Sequence, residues 1–148
     1  EIILKINRNG KCIDREFAHK YYDEVGLGID FTARELQNEL KSKGHPWELA
    51  KGFDQSAVVG QFIPKETLQN PENIHFYLTK NGEKVQEGWT KDLMFQFDFL
   101  IHTISQYFTL KMGDIIFTGT PAGVGPVNSG DELIGFLEGQ ELLRTPIR

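Results

Sequence analysis

The chain predicts a mainly β fold of the α+β class, with a few short helices, and three observations carry that reading. Fifteen glycines divide the sequence into short apolar runs of strand length. Two Asn-Gly pairs, Asn9-Gly10 and Asn81-Gly82, carry the strongest local hairpin signal. Helical periodicity is sustained in only two long stretches, near residues 32–43 and 91–108.

The elements follow in order. Residues 1–6, EIILKI, read as a strand. Asn9-Gly10 then turns the chain, so that Lys11 to Ile13 is expected to return beside it. Asp14 is placed to cap a short helix over 15–21, and Val25 to Phe31 reads as the next strand. Thr32 to Lys43 is the clearest helix. Thr32 and Glu35 form a capping box, Ala33, Leu36 and Leu40 recur on one face, and Gly44 stops it. Residues 57–63 are strand-like and end at Pro64. Ile74 to Lys80 and Glu83 to Glu87 flank Asn81-Gly82 as a hairpin. A second helix is expected over Lys91 to Phe108, with Leu93, Phe97, Leu100, Ile101 and Ile104 on its apolar face. Strands follow at 114–118, 132–137 and 141–144. No internal repeat and no low-complexity stretch is present.

Bulk properties bound the function. With 148 residues the chain is expected to be one domain, or the larger part of one, long enough to bury a core. Its 39% hydrophobic and 25% charged residues are those of an ordinary globular protein. A net charge of -5 argues against a general nucleic-acid partner. No apolar run approaches the roughly 18 residues of a membrane span, so no membrane partner is expected. The one cysteine, Cys12, has no internal partner for a disulfide, and nothing points to an oxidising compartment. The chain opens without Met, directly on a strand, so further residues are expected upstream.

Four segments carry chemistry. Asp30 follows an apolar strand and precedes a helix, a position that presents a carboxylate from rigid backbone to a hard divalent ion. The plain alternative is that its charge supports the helix N-terminus. Arg34 and Gln37 lie four and seven residues further on, roughly the same side of the helix, and with Asp30 would suit an anionic carbonyl compound. Otherwise Arg34 is a surface ion-pair residue and Gln37 a solvated one. Lys51, in HPWELAKGFD, is placed to bind an oxyanion, orient a water or form a Schiff base. The alternative is a surface lysine paired with Asp54. Lys111 to Gly125, KMGDIIFTGTPAGVG, puts Thr118 and Thr120 at a strand end before a glycine-rich turn. It is neither a GxxxxGK[ST] nor a GxGxxG phosphate loop. Glu1 opens a strand, where residues i and i+2 share a face and a carboxylate pair would grip one ion. Taken alone it is an exposed terminal glutamate.

The segments DFTARELQ, GHPWELAKGFD and GDIIFTGTPAGVG, in this order across nearly the whole chain, resemble the fumarylacetoacetate hydrolase family. The PWxxAK wording and the following VVGQFIPKE look most like its acylpyruvase and oxaloacetate decarboxylase branch. The resemblance implies a mixed β-sandwich roll of the family's C-terminal domain type. It implies one catalytic domain over 1–148, lacking the N-terminal lid segment and the first metal-ligand glutamate, which would lie two residues before Glu1.

By the same resemblance Glu1 and Asp30 are metal ligands for Mg²⁺ or Mn²⁺. Lys51 and Thr120 are catalytic and substrate-binding, and Arg34 and Gln37 line the substrate. No catalytic histidine carries over to His19, His45, His75 or His102. The implied activity is metal-dependent cleavage of acylpyruvates or decarboxylation of oxaloacetate, through an enolate that a Lewis acid stabilises. A small 2-oxo acid is then the partner, in a cytoplasmic homodimer. Two alternatives stand beside it: an isomerase or decarboxylase of the 2-hydroxyhepta-2,4-diene-1,7-dioate type, and a non-catalytic module for oxo-acid binding or dimerisation.

Overall fold

The computed structural model describes residues 1–148. Strands β1 (Ile2–Ile6), β2 (Tyr22–Asp30), β3 (Ala57–Pro64) and β6 (Ile115–Phe117) form one four-stranded sheet in the order β3-β2-β1-β6. Strands β4 (His75–Lys80), β5 (Glu83–Trp89), β7 (Glu132–Leu137) and β8 (Gln140–Pro146) form a second in the order β5-β4-β7-β8. Every ladder is antiparallel. Helices α1 (Arg34–Ser42) and α2 (Glu48–Lys51) lie between β2 and β3, and α3 (Phe97–Tyr107) lies between β5 and β6. The expected β-rich sandwich with short helices is what the sequence builds. No helix is long and apolar enough to cross a membrane.

The core lies between the sheets. Ile2, Leu4 and Ile6 of β1 meet Val25 and Leu27 of β2, and Phe76, Leu137 and Leu143 close it from the second sheet. Burying these side chains contributes roughly 1.5–3 kcal/mol each. β1 is central and covered on both faces, so Ile3 is also fully buried, and the strand reads as a continuous apolar run rather than an alternating one. Glycine sets how closely the sheets approach. A Cβ added to Gly60 would sit 2.4 Å from the Leu142 carbonyl oxygen, so β3 and β8 meet backbone to backbone.

The second hairpin turned as read. Asn81 and Gly82 have φ of 53° and 85°, the paired left-handed conformation that a two-residue turn between twisted strands requires. The Asn81 side chain also donates to Asp131 at 2.7 Å and accepts from the Glu132 amide at 2.9 Å, fixing β7 beside the turn.

Three expectations are corrected. Asn9-Gly10 forms no hairpin: Gly10 exchanges backbone bonds with Leu110 instead. Cys12 turns to φ 50°, and Ile13 is claimed by α3, its amide donating to Ser105 Oγ at 2.9 Å and its carbonyl meeting His102 Nδ1 at 2.7 Å. The capping box is not made either: α1 starts at Arg34 with Ala33 as its cap residue and no side-chain cap bond. The long second helix splits. Thr90–Asp92 is one 3₁₀ turn, and α3 begins only at Phe97. Thr90 is fully buried, and its Oγ1 accepts the Ile74 amide at 2.8 Å, which holds the chain off the helical path before α3. Of the face as read, Phe97 and Ile101 are buried and Ile104 packs beside them, Leu93 packs on the core from before α3, and Leu100 is only partly buried.

Candidate active site

Three chain segments far apart in sequence end at one corner of the first sheet. β1 begins there, antiparallel β2 ends there, and β6 ends there. Glu1 and Gly28 exchange backbone bonds of 2.8 and 2.9 Å, so Glu1 stands beside the end of β2, which finishes at Asp30. Thr118 is pinned at the same corner, its amide and its hydroxyl both donating to the Ile2 carbonyl, at 3.1 and 2.9 Å. The next residue, Gly119, donates its amide to Glu1 Oε2 at 3.1 Å. Antiparallel pairing thus brings Glu1, Asp30 and the TGTPAGVG loop together.

Glycine makes room for this corner. A Cβ on Gly28 would lie 2.6 Å from the Phe117 ring and 2.8 Å from Ile3, so the ring packs directly against bare backbone.

Lys51 reaches the site from α2. Ala50 is fully buried, and its carbonyl accepts the Ala33 amide at 3.0 Å, which ties α2 to the start of α1. From there the Lys51 ammonium donates to Asp30 Oδ2 and, at 2.8 Å, to Thr32 Oγ1. The alternative pairing with Asp54 is therefore not made; Asp30 is the partner. Thr32, read as a helix cap, spends its side chain on Lys51. An ammonium has three N–H groups, and these two bonds leave one free.

A cavity of about 960 Å³ opens between the sheets at this corner. Glu1, Asp30, Arg34, Lys51 and Thr120 all line it. Gln37 does not. It is buried behind Arg34, and its Oε1 accepts from the Arg34 guanidinium at 2.7 Å. It therefore orients the arginine, and the expectation of a solvated or substrate-lining glutamine gives way to a supporting one. Sequence reasoning missed Gln86, Lys80 and Tyr77, which β4 and β5 add to the cavity wall. They belong to a hairpin with no local signature of a site.

Glu1 and Asp30 are a hard, all-oxygen donor pair on one wall, which suits Mg²⁺ or Mn²⁺. No group of three His, Cys, Asp or Glu side chains is assembled anywhere. An ion held by this pair would fill its remaining positions from water and substrate, as Mg²⁺ commonly does.

The chain is similar to known proteins over nearly its whole length. The chain is 38% identical over 148 residues to the mouse protein named oxaloacetate tautomerase FAHD1, mitochondrial, covering all of this chain and 67% of that one. It is 40% identical over 143 residues to oxaloacetate tautomerase YcgM of Escherichia coli K12, covering 96% of this chain and 65% of the relative. The chain thus spans about two thirds of the length of these relatives. Among solved structures, fumarylpyruvate hydrolase from Pseudomonas aeruginosa in complex with Mn²⁺ and pyruvate superposes with a TM-score of 0.92 at 32% identity, covering 99% of this chain and 63% of that one. The family described as fumarylacetoacetate (FAA) hydrolase C-terminal matches residues 1–147, and the chain belongs to it.

Proposed function

We propose that this domain is the catalytic core of an enzyme that works on a small 2-oxo acid through its enol or enolate. One observation supports this most: a lysine ammonium with an unused N–H, an arginine, a threonine hydroxyl and two carboxylates all face one cavity. Keto–enol tautomerisation, decarboxylation of oxaloacetate and cleavage of an acylpyruvate share that enolate, and the names of the relatives span tautomerase and hydrolase.

Glu1 and Asp30 would hold Mg²⁺ or Mn²⁺, which when bound supplies Lewis-acid polarisation of the keto group. Arg34, held in place by Gln37, presents a planar fork to the substrate carboxylate. Lys51, fixed by Asp30 and Thr32, aims its third N–H at oxygen that gains negative charge as a proton leaves, or a bond breaks at, the neighbouring carbon. Thr120 adds a hydroxyl from the loop that lines the same cavity. Fixed donors of this kind need no reorganisation when the charge appears.

The test follows oxaloacetate and acetylpyruvate with Mg²⁺ or with EDTA, corrected for metal alone. Metal-dependent turnover that Asp30→Ala abolishes is the expected result. Loss of neither substrate in the full chain would refute the reading.

A further inference from the structure

We infer that Gln86 is a positioning residue that turns the Thr120 hydroxyl into a hydrogen-bond donor facing the cavity; this rests on the oxo-acid reading above. Gln86 lies on β5, in the second sheet, while Thr120 belongs to the loop that leaves the first. Its Nε2 donates to Thr120 Oγ1 at 3.0 Å and to the Pro121 carbonyl oxygen at 3.0 Å.

Elementary hydrogen-bond chemistry fixes the direction. A carbonyl oxygen only accepts, so the side of the Gln86 amide that meets Pro121 must be its NH₂. The same nitrogen meets Thr120, so Thr120 Oγ1 must accept there. A hydroxyl has a single proton. Thr120 therefore keeps that proton for another acceptor, and it lines the cavity with Glu1, Asp30 and Lys51. An amide flip would set two acceptors against each other at Pro121, so the orientation is locked.

Packing holds the loop where this works. A Cβ on Gly123 would lie 2.3 Å from the Val85 carbonyl oxygen, and one on Gly88 would lie 3.0 Å from Pro121 Cβ. The loop backbone thus rests directly on β5 on either side of Gln86. At its start, Gly119 is bound to Glu1. The loop spans the two sheets, and side chains of the second hold it at two places, Gln86 at Thr120 and Pro121 and Lys80, whose ammonium donates to the Pro126 carbonyl at 3.2 Å.

The decisive variant is Gln86→Glu, which keeps size and shape. Its carboxylate would accept the Thr120 proton and draw it away from the substrate. With oxaloacetate as probe, kcat should fall about tenfold, roughly what one hydrogen bond supplies, while KM stays within about twofold. Lowering the pH until the introduced carboxyl is protonated should return part of the loss relative to wild type, because a carboxylic acid can donate again. In a Thr120→Val background Gln86→Glu should cost clearly less, only what the lost bond to the Pro121 carbonyl removes. A merely structural glutamine would show the same loss with and without the Thr120 hydroxyl. Unchanged kcat in Gln86→Glu, or an equal loss in both backgrounds, would overturn the inference while leaving the proposed function intact. A wild-type chain inert toward every oxo acid would overturn both.

Discussion

Replacing Lys51 by methionine separates an active-site lysine from a structural one, because the two make opposite demands on stability and turnover. Lys51 and Asp30 are 37% and 32% exposed, so their ion pair is largely solvent-screened. Pairs of that kind contribute about 0–1 kcal/mol. Methionine keeps the length and apolar stem of lysine, so the fold should lose less than about 1 kcal/mol, a fall in Tm of about 2–4 °C for a domain of this size. The chemistry should lose far more. Removing one fixed donor from developing charge typically costs 10²–10³ in kcat, on the order of 3–4 kcal/mol. The assay is a thermal melt beside the metal-dependent rate on oxaloacetate, with Asp54→Asn as a control that should change neither. A wild-type rate in Lys51→Met would remove the lysine from the site. A Tm collapse of more than about 10 °C, with activity falling only as the folded fraction falls, would show that Lys51 is structural.

Three further outcomes are expected. Gly28→Ala should destabilise by about 1–3 kcal/mol through its clash with Phe117, and adding Phe117→Leu should recover part of the loss in a double-mutant cycle; additive losses would count against the contact. Thr90→Val should cost about 1–3 kcal/mol in urea denaturation by stranding the buried Ile74 amide, whereas Thr90→Ser should cost about 1 kcal/mol. Burial first, and the charge of Asp98 second, push the Tyr22 phenol from its usual 10 up to about 12. The fold favours the neutral phenol, so this stabilisation is complete below pH 10 and lost as the pH rises through 12. The loss of about 2–3 kcal/mol should be absent in Tyr22→Phe, and identical alkaline melts would refute it.

Much of the site was legible because its residues sit in contiguous wording. DFTARELQ, AKGFD and TGTPAGVG held Asp30, Arg34, Lys51 and Thr120, and the cavity lines up all four with Glu1. Roles within those segments were less legible. Thr32 reads as a helix cap and Gln37 as a substrate-lining or solvated residue, because a local pattern cannot show which partner wins a side chain. Thr32 accepts from a lysine nineteen residues away, and Gln37 is buried behind its own helix neighbour.

The sequence by itself determined the strand-rich class, the Asn81-Gly82 turn and the apolar face of α3, since each depends on residues within a few positions of one another. Tertiary structure alone decided that Asn9-Gly10 makes no hairpin, that Lys51 pairs with Asp30 rather than Asp54, and that Gln86 holds Thr120. Those outcomes rest on antiparallel pairing between segments up to about a hundred residues apart and on the meeting of two sheets. Propensity and periodicity fall silent at that range, because the energy that decides lies in contacts formed only once the chain has closed on itself.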